Sequence, residues 1–179
     1  MTLLQGLFIF YRKIRLARPS KYLLCIVAVF ITLNTQAQSW VSVGPNIDTG
    51  GASFYATMAI GSNDTPYVSF VDDYNAAGYI SVMKYNGSSW VYVGKPGFSD
   101  SMTFGGPSIA IDRNGTPYVA FSEEYSGKIT VMKHDDTGWA FVGEPRFSDT
   151  VAWFISLVID TTGTPYVAYQ DGGGEAPLP

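Results

Sequence analysis

Asp72-Asp73-Tyr74 and Glu123-Glu124-Tyr125 each set two carboxylates beside an aromatic ring, and Asp171 stands at the matching place a third time. In every case the first acid follows by four positions the valine of a Thr-Pro-Tyr-Val segment: Val68, Val119 and Val167. Ionised carboxylates only accept hydrogen bonds, so they suit hydroxyl donors such as those of a sugar. A neighbouring tyrosine supplies the apolar face against which a sugar ring can rest. Asp72, Asp73, Tyr74, Glu123, Glu124, Tyr125 and Asp171 therefore form the candidate binding set. The competing reading is a solvated loop, or carboxylates bonded to the backbone of an adjacent unit. Adjacent acids lack the alternating spacing of a calcium loop, so no metal site is expected.

Other chemistry finds less support. His134 is the single histidine, aligns with Tyr85 of a neighbouring repeat, and has no Ser–His–Asp arrangement around it, which makes it a surface residue rather than a general base. Cys25, the one cysteine, lies in an apolar leader, so the remaining chain has neither disulfides nor a thiol nucleophile. Gly172–Gly174 is a glycine run with no helix after it, no dinucleotide fingerprint occurs, and no cofactor is expected. Glycoside hydrolysis by a carboxylate pair stays open, because the separation that defines it is set by the fold. No catalytic residue is assigned.

The elements that hold these residues come from an internal repeat. Thr-Pro-Tyr-Val recurs at 65–68, 116–119 and 164–167, and tryptophans stand at 40, 90 and 139. Each of these tryptophans opens an apolar run ending in glycine: Trp40–Gly44, Trp90–Gly94 and Trp139–Gly143. Gly94–Ser101 matches Gly143–Thr150, and Ile80–Tyr85 matches Ile129–His134. Self-similarity at a period near 50 residues marks a repeat architecture. Within the second unit the pattern predicts strands at Ser108–Ile111, Tyr118–Phe121, Lys128–Lys133 and Trp139–Val142. These runs are rich in β-branched and aromatic residues and are bounded by Gly, Pro, Asn and Asp. Asp112-Arg113-Asn114-Gly115 and Asp160-Thr161-Thr162-Gly163 suit type I turns closed by a residue at positive φ, whereas Gly61-Ser62-Asn63-Asp64 departs from that chemistry. The proline after each turn has no N–H to donate and belongs at the start of a strand. Trp40, Trp90 and Trp139 are expected to pack between units, with the indole N–H reaching a carbonyl.

Four antiparallel strands per tandem unit predict an all-β fold of β-propeller blades, about three of them, in an incomplete ring. The unit Asp-x-x-Gly-Thr-Pro-Tyr-Val-Ala-(Phe/Tyr), followed by an acid and later a Trp, resembles the repeats of secreted bacterial β-propeller proteins of the Asp-box and kelch-like groups. Pro-Tyr replaces the Thr-Trp of a strict Asp box. The likeness covers 38–171, in units of about 40–89, 90–138 and 139–171. It implies ligands bound at one end of the blades. A sialidase-type activity is not implied, since outside the leader only Arg113 and Arg146 could form an arginine cluster. Counting Trp40–Gly44 as a fourth strand gives eleven strands, too few for a ring of four or more full blades. The expectation is a piece of a longer propeller, or, if the chain is complete, one that assembles with itself.

The leader sets the compartment. Residues 11–21 are basic and Tyr22–Leu33 are twelve mostly apolar residues without a charge, followed by Asn34-Thr35-Gln36-Ala37. This reads as a signal peptide over 1–37, cleaved after Ala37, with 38–179 exported as a partial propeller. Twelve apolar residues fall short of the ~20 needed to span a bilayer, so no stable membrane span is expected after cleavage. Beyond the leader the chain keeps six Lys and Arg (the eleven less Arg12, Lys13, Arg15, Arg18 and Lys21) against all fifteen Asp and Glu, a formal charge of −9. Such a surface repels phosphate backbones, so no nucleic-acid partner is expected. The combined expectation is a secreted, periplasmic or cell-surface binding module for a glycan or an extracellular protein, noncatalytic. The alternatives are a propeller-type glycan hydrolase and a structural fragment without activity of its own.

Overall fold

The computed structural model describes residues 39–50, 52–73, 78–103 and 105–173. The chain divides into two compact units, Met1–Val41 and Ser42–Pro179. Of the first, only Ser39, Trp40 and Val41 are described, and they carry no regular secondary structure. The predicted leader lies outside the described residues. Among those described, no helix is long and apolar enough to cross a membrane.

The second unit is built of antiparallel sheets in chain order. The first blade comprises β1 (Ser53–Ile60), β2 (Pro66–Asp72), β3 (Tyr79–Tyr85) and β4 (Trp90–Tyr92). The second comprises β5 (Ser108–Ile111), β6 (Pro117–Ser122), β7 (Ile129–Asp135) and β8 (Gly138–Phe141). The third has two strands, β9 (Ala152–Ile159) and β10 (Pro165–Asp171). The first strands of successive blades touch, β1 against β5 and β5 against β9. These are tandem antiparallel blades of a β-propeller, as the repeat predicts.

Turn chemistry accounts for the hairpins. Asp112 Oδ1 accepts the amides of Asn114 and Thr116, both at 2.8 Å, while the Gly115 amide donates to the Asp112 carbonyl at 3.0 Å. Asp160 repeats the pattern with Thr162, at 2.8 Å, and Thr164, at 3.0 Å. Gly115 and Gly163 close these turns at φ of 86° and 91°, where a side chain would be strained. The first blade uses Asn63 and Asp64 in the left-handed region instead, within a short 3₁₀ turn. Pro66, Pro117 and Pro165 each open the second strand, opposite Ile60, Ile111 and Ile159.

Side chains alternate across each sheet, so each blade offers one face to its predecessor and one to its successor. Tyr67, Val71, Ile80, Val82 and Val93 of the first blade meet Ile109, Val119, Phe121 and Met132 of the second. Tyr118, Ala120, Ile129 and Val131 of the second meet Ala152 and Leu157 of the third. Trp139 sits at the first seam as expected: its Nε1 donates to the Val93 carbonyl at 2.9 Å, and its ring stacks on Phe98 with centroids 3.6 Å apart. Trp90 meets Tyr85 of its own blade with centroids 5.6 Å apart, as Trp139 meets His134 at 5.4 Å.

One expected strand is missing. Trp40–Gly44 forms no strand, because a fourth strand pairs with the third of its own blade and no such strand lies before it among the described residues. Gly44 nevertheless occupies the corresponding place. A Cβ there would lie 2.3 Å from the Tyr85 ring, much as one on Gly94 would lie 2.9 Å from Trp139 Nε1 and 3.0 Å from His134.

Candidate functional site

Six of the seven candidate residues are described; they lie at the end of the blades where β2 turns into β3 and β6 into β7, but their side chains divide into two tiers. The sequence pattern puts the first acid of each pair in a loop. In the structure β2 and β10 run through Asp72 and Asp171, and β6 ends one residue before Glu123. Strand alternation then turns Asp72 and Glu123 into the sheet, where both are buried.

Each buried acid meets a hydroxyl from the adjacent strand. Asp72 Oδ2 accepts from Ser81 Oγ at 3.2 Å and from the Tyr92 hydroxyl at 3.3 Å. Glu123 Oε1 accepts from Thr130 Oγ1 at 2.5 Å, and its Oε2 accepts from Arg146 Nε. The same hydroxyls in turn accept backbone amides from the loop after the fourth strand, Ser81 from Gly97 at 2.9 Å and Thr130 from Arg146 at 3.0 Å. The acid, a strand and the loop are thus tied together in both blades. A second serine completes the tie: Ser99 Oγ accepts the Ile80 amide and Ser148 Oγ the Ile129 amide, both at 3.1 Å.

Arg146 stands where the first blade has Gly97, and both are left-handed, at φ of 58° and 62°. Its side chain bridges buried Glu123 and, at 3.6 Å, Asp100 of the preceding blade's loop. Such a conformation is unfavourable for a long side chain, and two carboxylate partners offset the cost. Nothing in the repeat pattern singles out this arginine.

Asp171 is exposed and accepts from the Thr150 hydroxyl and, at 3.3 Å, from the Gly173 amide. These bonds hold its carboxyl below the usual aspartate range, the Thr150 hydroxyl contributing most. The outer tier faces solvent. Asp73 and Glu124 are exposed, with their amides anchored on the Ala52 carbonyl at 3.2 Å and the Met102 carbonyl at 2.9 Å. Tyr125 is 88% exposed. Tyr74 lies outside the described residues.

The structure adds aromatic residues that sequence reasoning missed. Register pairs Ser53 with Asp72 and Ala152 with Asp171, so the starts of β1 and β9 lie at this same end. There Tyr55 is 65% and Phe154 85% exposed. Both take positive φ, 53° and 50°, where the strand register slips as in a β-bulge. An aromatic residue in that region is a backbone outlier of the kind that clusters at ligand sites. The second blade has Gly106 at the equivalent position, and a Cβ on it would come within 3.1 Å of Tyr55 Cβ. The available signal was the alignment of Tyr55, Gly106 and Phe154 back from the repeated proline.

At the opposite end, a cleft of about 490 Å³ between the first and second blades is lined by Tyr67, Lys84, Asn114, His134, Asp135 and Asp136, among others. His134 packs its ring edge on Trp139 at 5.4 Å. The Asp135 carboxyl is lowered, first by the Thr137 hydroxyl and then by the Thr137 amide. Among the described residues no group of three His, Cys, Asp or Glu side chains is placed to hold a metal ion.

No protein-family model and no curated protein matches the chain. Among solved structures it is similar to a thermostable family-43 glycoside hydrolase, with 21% identity and a TM-score of 0.44, over 67% of this chain and 49% of that one. The chain spans about half the length of that protein.

Proposed function

We propose that the chain is a noncatalytic, exported propeller module that binds a glycan on the loop end of its blades. The observation that carries this reading is the co-location of exposed rings (Tyr55, Tyr125, Phe154) with exposed carboxylates (Asp73, Glu124) at one end. Rings supply an apolar platform for a sugar face, and carboxylates accept its hydroxyls. In this reading Asp73, Glu124 and Tyr125 touch ligand, Tyr74 belongs to the same set, and Asp72, Glu123 and Asp171 hold the loops that present them. Export rests on the basic and apolar leader, and N-terminal sequencing of the protein recovered from outside the cytoplasm checks it.

Glycan-array screening followed by calorimetry tests the binding. Tyr125→Ala and Phe154→Ala should each weaken binding by about tenfold, the equivalent of ~1.4 kcal/mol of stacking. Unaltered affinity in both variants, or binding only to a protein captured on the same face, overturns the glycan reading. Release of sugar from a bound glycan replaces it with the hydrolase alternative.

A further inference from the structure

The cleft at the first seam, at the far end from the loops, gathers side chains that the fold leaves without partners. Both of its walls belong to four-stranded blades. Along β3, Ile80, Val82 and Lys84 share the face that packs on the second blade, and Lys84 pairs in register with Tyr67. Along β7, Met132 and His134 share the face turned back toward the first blade. Lys84 and His134 therefore line the cleft from opposite walls, just beyond the apolar core. Among the described residues Lys84 has no ion pair, and the Tyr67 hydroxyl and the Asp136 carboxylate have no hydrogen bond. Tyr67 is 8% exposed, and burial raises its pKa, which keeps the hydroxyl a donor. Asp135 also lines the cleft but is committed to its own turn, accepting the Thr137 amide at 2.9 Å and hydroxyl at 2.6 Å.

We propose that this cleft is a second ligand site, separate from the loop end, that takes a hydroxylated monocarboxylate. Lys84 and the Tyr67 hydroxyl receive the carboxylate, while Asn114, His134 and Asp136 meet the hydroxyls. Its volume of about 490 Å³ leaves room for a sugar-sized body behind the acid group. The charge count selects a monoanion. Lys84 is the one lysine or arginine in the lining, and exposed Asp136 opposes a doubly charged phosphate or sulfate.

His134 is the single histidine, so the imidazole proton signals of an untagged chain report on the cleft without assignment. Titration with glucuronate at fixed pH should move them and saturate with a Kd of about 1 mM. Glucose, the neutral counterpart, should leave them in place. Lys84→Met should weaken glucuronate at least about tenfold and Lys84→Arg should restore most of it, with strand content checked by circular dichroism. Tyr125→Ala should change nothing here, which keeps this site distinct from the loop end. Gluconate and methyl glucuronide then separate the sources of the acid. Tighter binding of the first assigns a free hydroxy acid, and tighter binding of the second a uronate residue within a glycan. Signals that stay fixed at about 20 mM glucuronate, well above a millimolar Kd, overturn the proposal. Equal shifts with glucose, or full affinity in Lys84→Met, overturn it as well. The comparison of glucuronate with glucose on the wild type stands even if the variants do not fold.

Discussion

Replacing Glu123 by alanine separates a carboxylate that holds the fold from one that waits for a ligand. The side chain of Glu123 is 3% exposed and receives a hydroxyl from Thr130 and the Arg146 guanidinium. A hydrogen bond to a buried charge contributes about 1.5–3 kcal/mol. The Arg146 side chain is 47% exposed, so solvent screens its pairing, which adds only about 0.5 kcal/mol. Thr130 Oγ1, itself buried, would then lack its acceptor, at a cost of about 1 kcal/mol. Glu123→Ala should therefore destabilise the protein by about 3 kcal/mol, or roughly 10 °C in melting temperature for a domain of this size. Glu123→Gln keeps an acceptor for Thr130 and should lose about half as much. Glu124→Ala, one residue away on the exposed side, should stay within about 0.5 kcal/mol. Urea titration of the three variants reads all of this directly. A loss below about 1 kcal/mol for Glu123→Ala, or an equal loss for Glu124→Ala, would refute the division into a buried and an exposed tier.

Two further outcomes follow from single residues. Ser69 is fully buried, its hydroxyl has no hydrogen-bond partner among the described residues, and the equivalent positions are Ala120 and Ala168, so Ser69→Ala should raise stability by about 1 kcal/mol in the same titration. The Asp160 carboxyl is lowered to about 2 by the Thr162 hydroxyl and then the Thr164 amide. A depressed folded value means that its contribution is present above the unfolded aspartate value near 4 and is lost as pH falls toward 2. Melting temperature should therefore drop over that window, and less steeply in Asp160→Asn. Identical pH profiles for the two proteins would contradict the turn assignment.

The fold was legible because the signals repeat. Thr-Pro-Tyr-Val, the Asp-to-Gly turns, Trp90 and Trp139 fall at matching offsets, and each marks a hairpin or a seam that the structure contains. Ser108–Ile111 has the same limits in both readings. The site was legible only by location. Whether an acid points inward depends on its partners and not on strand length: Asp72 meets Ser81 on β3 and Glu123 meets Thr130 on β7, whereas Asp171, which also ends a strand, is exposed, and spacing along the chain does not reveal those partners. Tyr55 and Phe154 escaped for a similar reason, since a left-handed aromatic violates local preference and only the surrounding sheet enforces it. Trp40–Gly44 looked like a strand from composition, but a strand also needs a neighbour to bond.

The stacking of Trp139 on Phe98, with its indole N–H held by Val93, makes the joint between the first two blades optically visible. Indole emission is sensitive to exactly that kind of enclosure, so loosening of this joint would redshift the signal from Trp139 before the sheets themselves melt. In a background where Trp40, Trp90 and Trp153 are phenylalanine, this one fluorophore would time the parting of neighbouring blades and distinguish a molecule that breathes from one that unfolds as a unit.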